Sequence, residues 1–402
     1  MKKFLWVGSF STDEVNKSIQ ELGYNNAAQF TAQKNLIEGL EKYNNISFDT
    51  IGAFLLPDDK LVKQVDEIRF SHGNNSYDVL AGYRNIRYLN RLTSTISVER
   101  KIKRYIKNIN ENDELIVFMY EMRSMCFEAA ELIKKKHKYV KIYMLVPDLP
   151  LFMSGNYSKT KLALKKIEYE RMKLQMKYID KYILFAEPMA EYLKLASNRY
   201  FVMEGSLNIR TCEKASALYR MDTDDTREKI FMYSGILDES YGILNLINAF
   251  KELPDDYKLW ITGEGPAAEK IRRISDEKKI IYYGYLSTKK EVLKLQADAM
   301  ALINIRDPNE EYSKYCFPSK LFEYMMSGRP VLSTFTQGIP TEYFEYLIRI
   351  NDISTRSIKH AVVMAANMTK TERDRIGTNA REFVIKNKNN IKQAEYISRI
   401  IL

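Results

Sequence analysis

Residues 317–331 read FPSKLFEYMMSGRPV, a pattern that predicts a short helix between a loop and a new strand. Pro318 suits the first turn of a helix, where its missing N–H would have no partner in any case. Gly328 suits the C-terminal cap, because glycine adopts the left-handed backbone that ends many helices. Pro330 cannot continue the helix, and Val331 favours a strand.

The chemistry of this stretch predicts a site for an anion. Ser319 and Lys320 would place backbone N–H donors and an ammonium group at the positive end of the helix dipole. Glu323 follows Lys320 by about one turn, so it would share that face and accept hydrogen bonds from hydroxyls of a bound ligand.

Size and composition indicate a globular protein with two domains. The chain has 402 residues, of which 45% are hydrophobic and 28% charged, and this length suits two cores of about 200 residues. The opening residues lack the apolar core of a secretory signal. Three scattered cysteines, Cys126, Cys212 and Cys316, favour a reducing compartment. We therefore expect a cytoplasmic protein.

Apolar runs alternate with polar helical segments along the whole chain, which predicts doubly wound parallel sheets. The first series of predicted strands comprises residues 3–7, 114–119, 140–146, 181–185 and 200–203. The second series comprises residues 229–234, 257–262, 279–283, 299–304 and 330–333. We predict domains at residues 1–205 and 206–385, with a last helix in 386–402 that crosses back to the first domain. The acidic stretch 220–226 is the candidate linker.

Positive charge is concentrated in the first half. Residues 1–200 hold 32 Lys and Arg against 24 Asp and Glu, in a chain of net charge +10. Two basic segments, residues 84–107 and 134–181, carry the excess, and we predict that both are helical. In residues 158–179, Leu164, Ile167 and Leu174 share a helical face. Basic helices with interleaved apolar residues bind anionic membranes, although a solvated helix end would also explain Lys134–Lys136.

Four motifs in the second half resemble those of the family 4 glycosyltransferases, nucleotide-sugar enzymes with two Rossmann-like domains (the GT-B fold). The motifs are Ser234-Gly235, residues 262–266 (TGEGP), residues 283–286 (YGYL) and the 317–331 block. The resemblance covers nearly the whole chain. Residues 315–320 with 323–324 most resemble enzymes that build bacterial capsule or exopolysaccharide.

The resemblance implies that the second domain binds the donor nucleotide sugar, in a cleft between the domains. Glu323 would bind the ribose, Ser319 and Lys320 the diphosphate, and Tyr285 and Leu286 would lie beside the base. The full set of expected donor-binding residues is Gly235, Gly263, Glu264, Tyr285, Leu286, Arg306, Phe317, Pro318, Ser319, Lys320 and Glu323.

Three positions depart from the family pattern. Tyr315 stands where the family usually has an acidic residue that holds the donor sugar. Ile236 and Tyr241 stand where the family tends to place an Arg and a Lys aimed at the diphosphate. With these two cations absent, Lys320 becomes the main expected phosphate ligand, joined by Arg306.

In the first domain, Asp148 and Glu121 follow predicted strands and are the expected catalytic residues. Each would orient or deprotonate the acceptor hydroxyl. The simpler interpretations remain open: Asp148, between two prolines, would also stabilise a turn, and Glu121 would also serve a structural role.

The leading prediction is therefore a glycosyltransferase that moves a hexose to a hydroxyl of a lipid-linked or soluble glycan, with retention of configuration. The resemblance implies no metal or other cofactor, and the three histidines lack metal-ligand spacing. Expected partners are the nucleotide sugar, the acceptor glycan and an anionic membrane surface, with no nucleic acid. The alternative is an inactive homologue that serves as a scaffold for another transferase. We identify no pair of acid and base residues in the sequence that would support an epimerase.

Overall fold

The computed structural model describes residues 2–24, 27–56, 62–73, 75–110, 112–137, 139–152, 159–210, 229–286 and 288–402, without the side chains of 159–161. The chain forms two compact units. Unit 1 comprises Met1–Gly205 with Gln393–Leu402, and unit 2 comprises Ser206–Lys392.

Unit 1 is built on an eight-stranded sheet in the order β10-β9-β8-β7-β1-β2-β5-β4. All its neighbouring strands run parallel except β4 and β5, and β3 pairs with β6 in a separate antiparallel ribbon. The strands are β1 Lys2–Val7, β2 Phe48–Gly52, β3 Gln64–Val65, β4 Ile68–Phe70, β5 Asp78–Leu80, β6 Tyr83–Arg84, β7 Glu114–Tyr120, β8 Lys141–Val146, β9 Lys181–Leu184 and β10 Tyr200–Val202.

Unit 2 is built on a six-stranded, fully parallel sheet in the order β13-β12-β11-β14-β15-β16. Numbered within the unit, this order is 3-2-1-4-5-6, the arrangement of dinucleotide-binding folds. The strands are β11 Lys229–Ser234, β12 Tyr257–Thr262, β13 Ile280–Tyr282, β14 Ala301–Asn304, β15 Val331–Thr334 and β16 Ile348–Ile350.

The described helices connect these strands and cover the sheets. In unit 1 they are α1 Asp13–Glu21, α2 Ala27–Asn44, α3 Asn90–Lys107, α4 Ser124–Lys136, α5 Lys159–Gln175 and α6 Pro188–Tyr192. In unit 2 they are α7 Ile243–Lys251, α8 Ala268–Ile274, α9 Lys289–Asp298, α10 Glu311–Lys314, α11 Lys320–Met326, α12 Thr355–Asn367 and α13 Lys370–Asn387. The last helix, α14, is Asn390–Ile401.

The side chains in the middle of the strands are buried in both sheets, as is usual for parallel sheets, which are covered on both faces. In unit 1, Trp6 is fully buried and lies against Phe48 and Phe118, with ring centroids 5.9 and 6.1 Å away. In unit 2, Phe231 is fully buried and packs on Phe250 at 5.6 Å. Such aromatic layers fix the strands whose ends carry the candidate sites.

The fold class predicted from the sequence, two doubly wound α/β domains, is confirmed. Every strand of the two predicted series is present, and the helix after Lys320 is followed by Gly328 with φ +75°. Three details differ. Helix α11 begins at Lys320, after Pro318, and the basic segment 84–107 is helical only from Asn90. The basic segment 134–181, which we predicted to be helical, contains strand β8 as well as the end of α4 and helix α5. The predicted linker 220–226 and Cys212 lie outside the described residues.

The last helix belongs with the first domain. Tyr143 Oη donates to the Ile401 carbonyl at 3.0 Å, and Asn44 Nδ2 donates to Ser398 Oγ at 2.9 Å. Among the helices of the described residues, none is long and apolar enough to cross a membrane.

Candidate functional site

Strand order reverses in unit 2 between β11 and β14, and ligands of open α/β sheets bind beyond the carboxyl ends of strands at such a point. The loop Gly235–Leu237 follows β11, and Arg306 follows β14. We call this edge of the sheet the switch-point site, with Gly235, Arg306, Lys320 and Glu323 as its defining residues.

Two glycines allow the loops after β11 and β12 to touch. Gly263 has φ +136°, and a Cβ there would lie 1.9 Å from the Gly235 carbonyl oxygen. Gly265 has φ +153°, and its Cβ would lie 2.4 Å from the Leu237 oxygen. Leu237 N–H donates to the Glu264 carbonyl at 2.8 Å, while the Glu264 side chain is exposed. Gly263 therefore has a packing role in addition to the ligand role that we predicted.

Tyr324 fastens helix α11 to the end of strand β11. Its phenol oxygen accepts from Ser234 N–H and donates to the Ser234 carbonyl, both at 2.7 Å. The side chain is 1% exposed, and this burial raises its pKa well above the usual value. Lys320 lies one turn earlier on the helix, so the same contact holds it near the β11 loop. The sequence analysis did not assign this role to Tyr324; its position four residues after Lys320 was the available signal.

Lys320 and Glu323 are paired with each other. Lys320 Nζ lies 2.9 Å from Glu323 Oε1, which also accepts from Gln296 Nε2 at 2.9 Å. Burial alone would raise the pKa of Glu323, but Lys320 and Lys289 hold it below its usual value. Because an ammonium group has three N–H donors, Lys320 retains donors for an anion. Gln296 is fully buried with Oε1 unpaired, and the sequence analysis did not identify it.

The three residues before Lys320 differ in exposure. Phe317 is 6% exposed, with its ring centroid 4.9 Å from Phe322 and 5.3 Å from Tyr343. Pro318 is also buried, whereas Ser319 is exposed and its side chain makes no capping hydrogen bond. Of the three, Ser319 is the side chain that a ligand can reach from solvent.

Arg306 supplies a cation next to Tyr241. Position 241 is the one at which the family pattern tends to have Lys. Its guanidinium carbon lies 4.2 Å from the Tyr241 ring centroid, and its backbone N–H donates to Thr334 Oγ1 at 2.9 Å. No carboxylate within 4.0 Å pairs with it in the described part of the chain. The guanidinium also hydrogen-bonds to the Tyr241 side chain, and because a guanidinium has five N–H donors, others remain available for an anion.

Tyr285 and Leu286 lie in the loop after β13. Tyr285 is 58% exposed and Leu286 is half-buried. The neighbouring Gly284 has φ +69° with open space around its Cβ position, and its carbonyl accepts from Gly263 N–H at 3.0 Å. An exposed aromatic ring at the sheet edge suits stacking on a nucleotide base.

Unit 1 contains a separate cavity of about 170 Å³ at the carboxyl ends of β7 and β8, lined by both charged and apolar side chains. Both predicted catalytic residues, Glu121 and Asp148, line it, together with Arg91, Lys165 and Glu168. This places the two carboxylates in one cavity, since the ends of neighbouring parallel strands meet at the same edge.

Glu121 is a buried, strained residue of this cavity. It is 8% exposed and has φ +72°, a conformation that non-glycine residues rarely adopt. Burial raises the pKa of its carboxyl, and the neighbouring Asp148 adds to the rise, although Arg123 opposes it through an ion pair. Arg123 Nη1 is buried without a hydrogen-bond partner. Backbone strain and unpaired buried donors of this kind often occur at functional sites. Asp148 differs from Glu121 in that its side chain is exposed.

Residues 228–365 match the sequence pattern of the family described as "Glycosyl transferases group 1". No curated protein sequence matches the chain.

Three solved structures illustrate the structural similarity, which at these identities concerns the fold. HepE of Anabaena in complex with UDP is 11% identical with a TM-score of 0.61, over 99% of this chain and 98% of that one. The apo lipopolysaccharide outer core galactosyltransferase WaaB is 15% identical with a TM-score of 0.64, over 100% and 99%. An E. coli structure described as trehalose-6-phosphate bound with UDP-2-fluoro glucose is 10% identical with a TM-score of 0.66, over 100% and 99%.

The fold and the matched domain together define the class: the protein is a glycosyltransferase of the GT-B type. It is accordingly an enzyme that transfers glycosyl groups.

Proposed function

We propose that the protein transfers a hexose from a nucleoside-diphosphate sugar to a hydroxyl of a glycan acceptor, with retention of configuration. The observation that carries this proposal is the presence of Lys320, Glu323 and Arg306 at the switch point of a sheet within the matched domain. In this arrangement the two cations neutralise the diphosphate, and Glu323 binds the ribose hydroxyls.

A uridine diphosphate sugar is the first donor to test. The HepE structures contain UDP or UDP with glucose, and another similar structure contains UDP-2-fluoro glucose. Tyr285 would stack on the base. No metal or other cofactor takes part in the proposed reaction; the cations of the chain stabilise the departing diphosphate.

The acceptor would bind in the unit 1 cavity. Its lining includes charged donors and acceptors, such as Arg91 and Glu168, and apolar groups such as Met172. Such a mixture suits a sugar, whose hydroxyls are polar and whose C–H faces are apolar. An apolar cavity of about 150 Å³ admits benzene, so a cavity of about 170 Å³ holds a single sugar ring. Glu121, with its raised pKa, would accept the hydroxyl proton or orient that hydroxyl, and Asp148 would assist.

We further propose that the acceptor is lipid-linked and that the product enters a bacterial surface polysaccharide such as capsule or exopolysaccharide. The similarity to WaaB, titled as a lipopolysaccharide galactosyltransferase, supports this assignment. The excess of positive charge in residues 1–200 also supports it, because it suits work at the anionic inner face of a membrane.

The first test of this proposal measures nucleotide binding. UDP and other nucleoside diphosphates are screened by thermal shift. A nucleotide that binds the site should raise the melting temperature of the wild type, because it binds only the folded state. Glu323→Gln should reduce that shift while the protein remains folded. Failure of every nucleotide to stabilise the wild type would overturn the proposed function.

An inactive homologue that acts as a scaffold is the second candidate, favoured by Tyr315, Ile236 and Tyr241 at positions where the family binds its donor. This candidate predicts nucleotide binding without donor hydrolysis or transfer. Release of UDP from a UDP-sugar by the purified chain would exclude it.

A further inference from the structure

Exposed apolar side chains cluster in two segments of unit 1. Of the 19 large apolar side chains that are exposed in the described residues, nine lie in residues 86–96 and 162–174. Scattered surface hydrophobics are ordinary, but a contiguous group marks an interaction site. The nine are Ile86, Tyr88, Leu89, Leu92, Ile96, Leu162, Leu164, Ile167 and Leu174. With the exposed cations Arg84, Arg87 and Lys166 they form what we call the rim surface.

The two segments meet beside the unit 1 cavity. Arg91 Nη1 on α3 lies 2.8 Å from Glu168 Oε2 on α5, and both residues line the cavity. Leu92 follows Arg91 directly, and Ile167 directly precedes Glu168. Leu92 is 54% exposed and Ile167 is 68% exposed. Exposed apolar groups therefore lie next to cavity-lining residues on both helices.

The charge of the rim surface selects its partner. No acidic residue occurs between Arg84 and Val98, and in the described part of the chain no carboxylate pairs with Arg84, Arg87 or Lys166. The two carboxylates of the 162–174 segment are each paired with a cation, Glu168 with Arg91 and Glu170 with Lys173. A symmetric dimer through this face would place like charges opposite each other. An anionic lipid surface, in contrast, attracts the cations and accepts the apolar side chains.

We propose that the rim surface docks on an anionic membrane and presents the cavity to an acceptor held in that membrane. Leu92 and Ile167 insert at the level of the headgroups, while Arg84 and Arg87 contact anionic headgroups. The identity of the cavity's ligand rests on the proposed function, but the docking itself does not. The cavity mouth then lies at the membrane surface, where the head group of a lipid-linked sugar is found.

Co-sedimentation of the full chain with vesicles tests this proposal. Vesicles that contain phosphatidylglycerol should bind the wild type, added salt should weaken binding, and pure phosphatidylcholine should bind it far less. Arg84→Gln with Arg87→Gln should weaken binding by about 30-fold, since each cation near the surface contributes about fivefold. Leu92→Ser with Ile167→Ser should weaken it by roughly tenfold or more.

Tyr139→Ser and Lys136→Gln are the matched controls. Tyr139 is 95% exposed and follows the C-terminal end of α4, whereas the cavity includes residues of the N-terminal end. Both controls should bind vesicles like the wild type. Equal binding by the rim variants and the controls, or equal binding to both kinds of vesicle, would overturn the proposal.

Two further measurements separate the explanations. If the wild type forms dimers without lipid and Leu92→Ser with Ile167→Ser makes it monomeric, the rim surface is an interface between copies and the membrane proposal falls. Thermal shift with UDP on the rim variants should match the wild type, because those residues lie in unit 1. Loss of vesicle binding with retained nucleotide binding supports docking, and absence of nucleotide binding in every protein would instead count against the proposed function.

Discussion

The two candidate sites differ in how their charged groups are satisfied. At the switch-point site of unit 2, Lys320 and Glu323 are paired and Tyr324 fixes their helix to the sheet. In the unit 1 cavity, Glu121 has a strained backbone, Arg123 retains an unpaired buried nitrogen, and the surroundings carry exposed apolar groups.

This difference indicates two kinds of ligand. A site with fixed charges suits a ligand of constant shape and charge, such as a nucleoside diphosphate. A cavity with unpaired donors beside an apolar surface suits a variable acceptor that arrives from another phase. Glycosyltransferases that share a donor and differ in acceptor would then differ mainly in unit 1.

The largest expected effect concerns Lys320. Lys320→Ala should abolish transfer, with a loss of roughly 1,000-fold or more, because a preorganised cation at a departing oxyanion contributes at least as much as one oxyanion-hole donor. Release of UDP measured with purified protein checks this. Lys290→Ala, an exposed lysine in the first turn of α9, is the matched control. Near-normal turnover by Lys320→Ala would refute our assignment of the donor site.

The second prediction uses His72 of unit 1, whose side chain is 8% exposed. His72 Nδ1 lies 2.7 Å from Asp78 Oδ2, and Nε2 lies 3.1 Å from Glu41 Oε1. Burial would lower the pKa of His72, but the two carboxylates together raise it to about 9. The raised pKa stabilises the folded protein fully below about pH 6.5, and this stabilisation, at most roughly 3 kcal/mol, is lost as the pH rises through 9.

Fluorescence can assign that loss to unit 1. The chain has two tryptophans, Trp6 in unit 1 and Trp260 in unit 2. In Trp260→Phe, the urea midpoint reported by Trp6 should fall between about pH 6.5 and 10. Adding His72→Gln to Trp260→Phe should remove most of this dependence of the urea midpoint on pH. A dependence that persists unchanged would contradict our interpretation of His72 and its two carboxylate partners, Asp78 and Glu41.

The third prediction tests whether Arg306 replaces the cation absent at Tyr241. Arg306→Ala should weaken UDP binding by about 30-fold, the value of one to two charge-assisted hydrogen bonds. Adding Tyr241→Lys should restore part of it, while Tyr241→Phe added to Arg306→Ala should not. Calorimetric titration with UDP measures each affinity, and thermal melts verify folding. Equal affinities for Arg306→Ala and wild type would exclude this role.

The smallest expected effect is that of Gly284→Ala, which we compare with Gly263→Ala in the neighbouring switch-point loop. Gly263→Ala combines a positive φ with a Cβ 1.9 Å from a carbonyl oxygen, whereas Gly284→Ala has positive φ and open space. Gly284→Ala should cost about 1 kcal/mol of unfolding free energy, and Gly263→Ala at least about 2 kcal/mol more. Urea unfolding followed by Trp260 fluorescence in a Trp6→Phe background measures both, and equal costs would show that the Gly263 loop relaxes easily.

Long buried strands were predictable because their apolar runs are continuous. The segments Glu114–Tyr120 and Tyr257–Thr262 are examples. The sequence analysis missed the short strands between Phe48 and Arg84 and also Ile348–Ile350. Pieces of two to five residues carry no clear periodicity, and neighbouring strands supply their stability.

The candidate site was predictable where its chemistry is local. Lys320 and Glu323 are three residues apart, so the helix alone brings them together. Gln296 reaches Glu323 from 27 positions away, and Arg306 stacks on Tyr241 across two loops. Contacts between such distant positions arise from packing, which a single sequence does not display.

The hydrogen bonds between Tyr324 and Ser234 bear on how tightly a ligand can bind. Because folding already holds the helix against the strand end, the conformational entropy of ordering that backbone is lost before any ligand arrives. Binding then needs to immobilise only the end of the Lys320 side chain. We therefore expect the switch-point site to bind its ligand fast and without a slow closing step, at a rate set by diffusion and charge attraction.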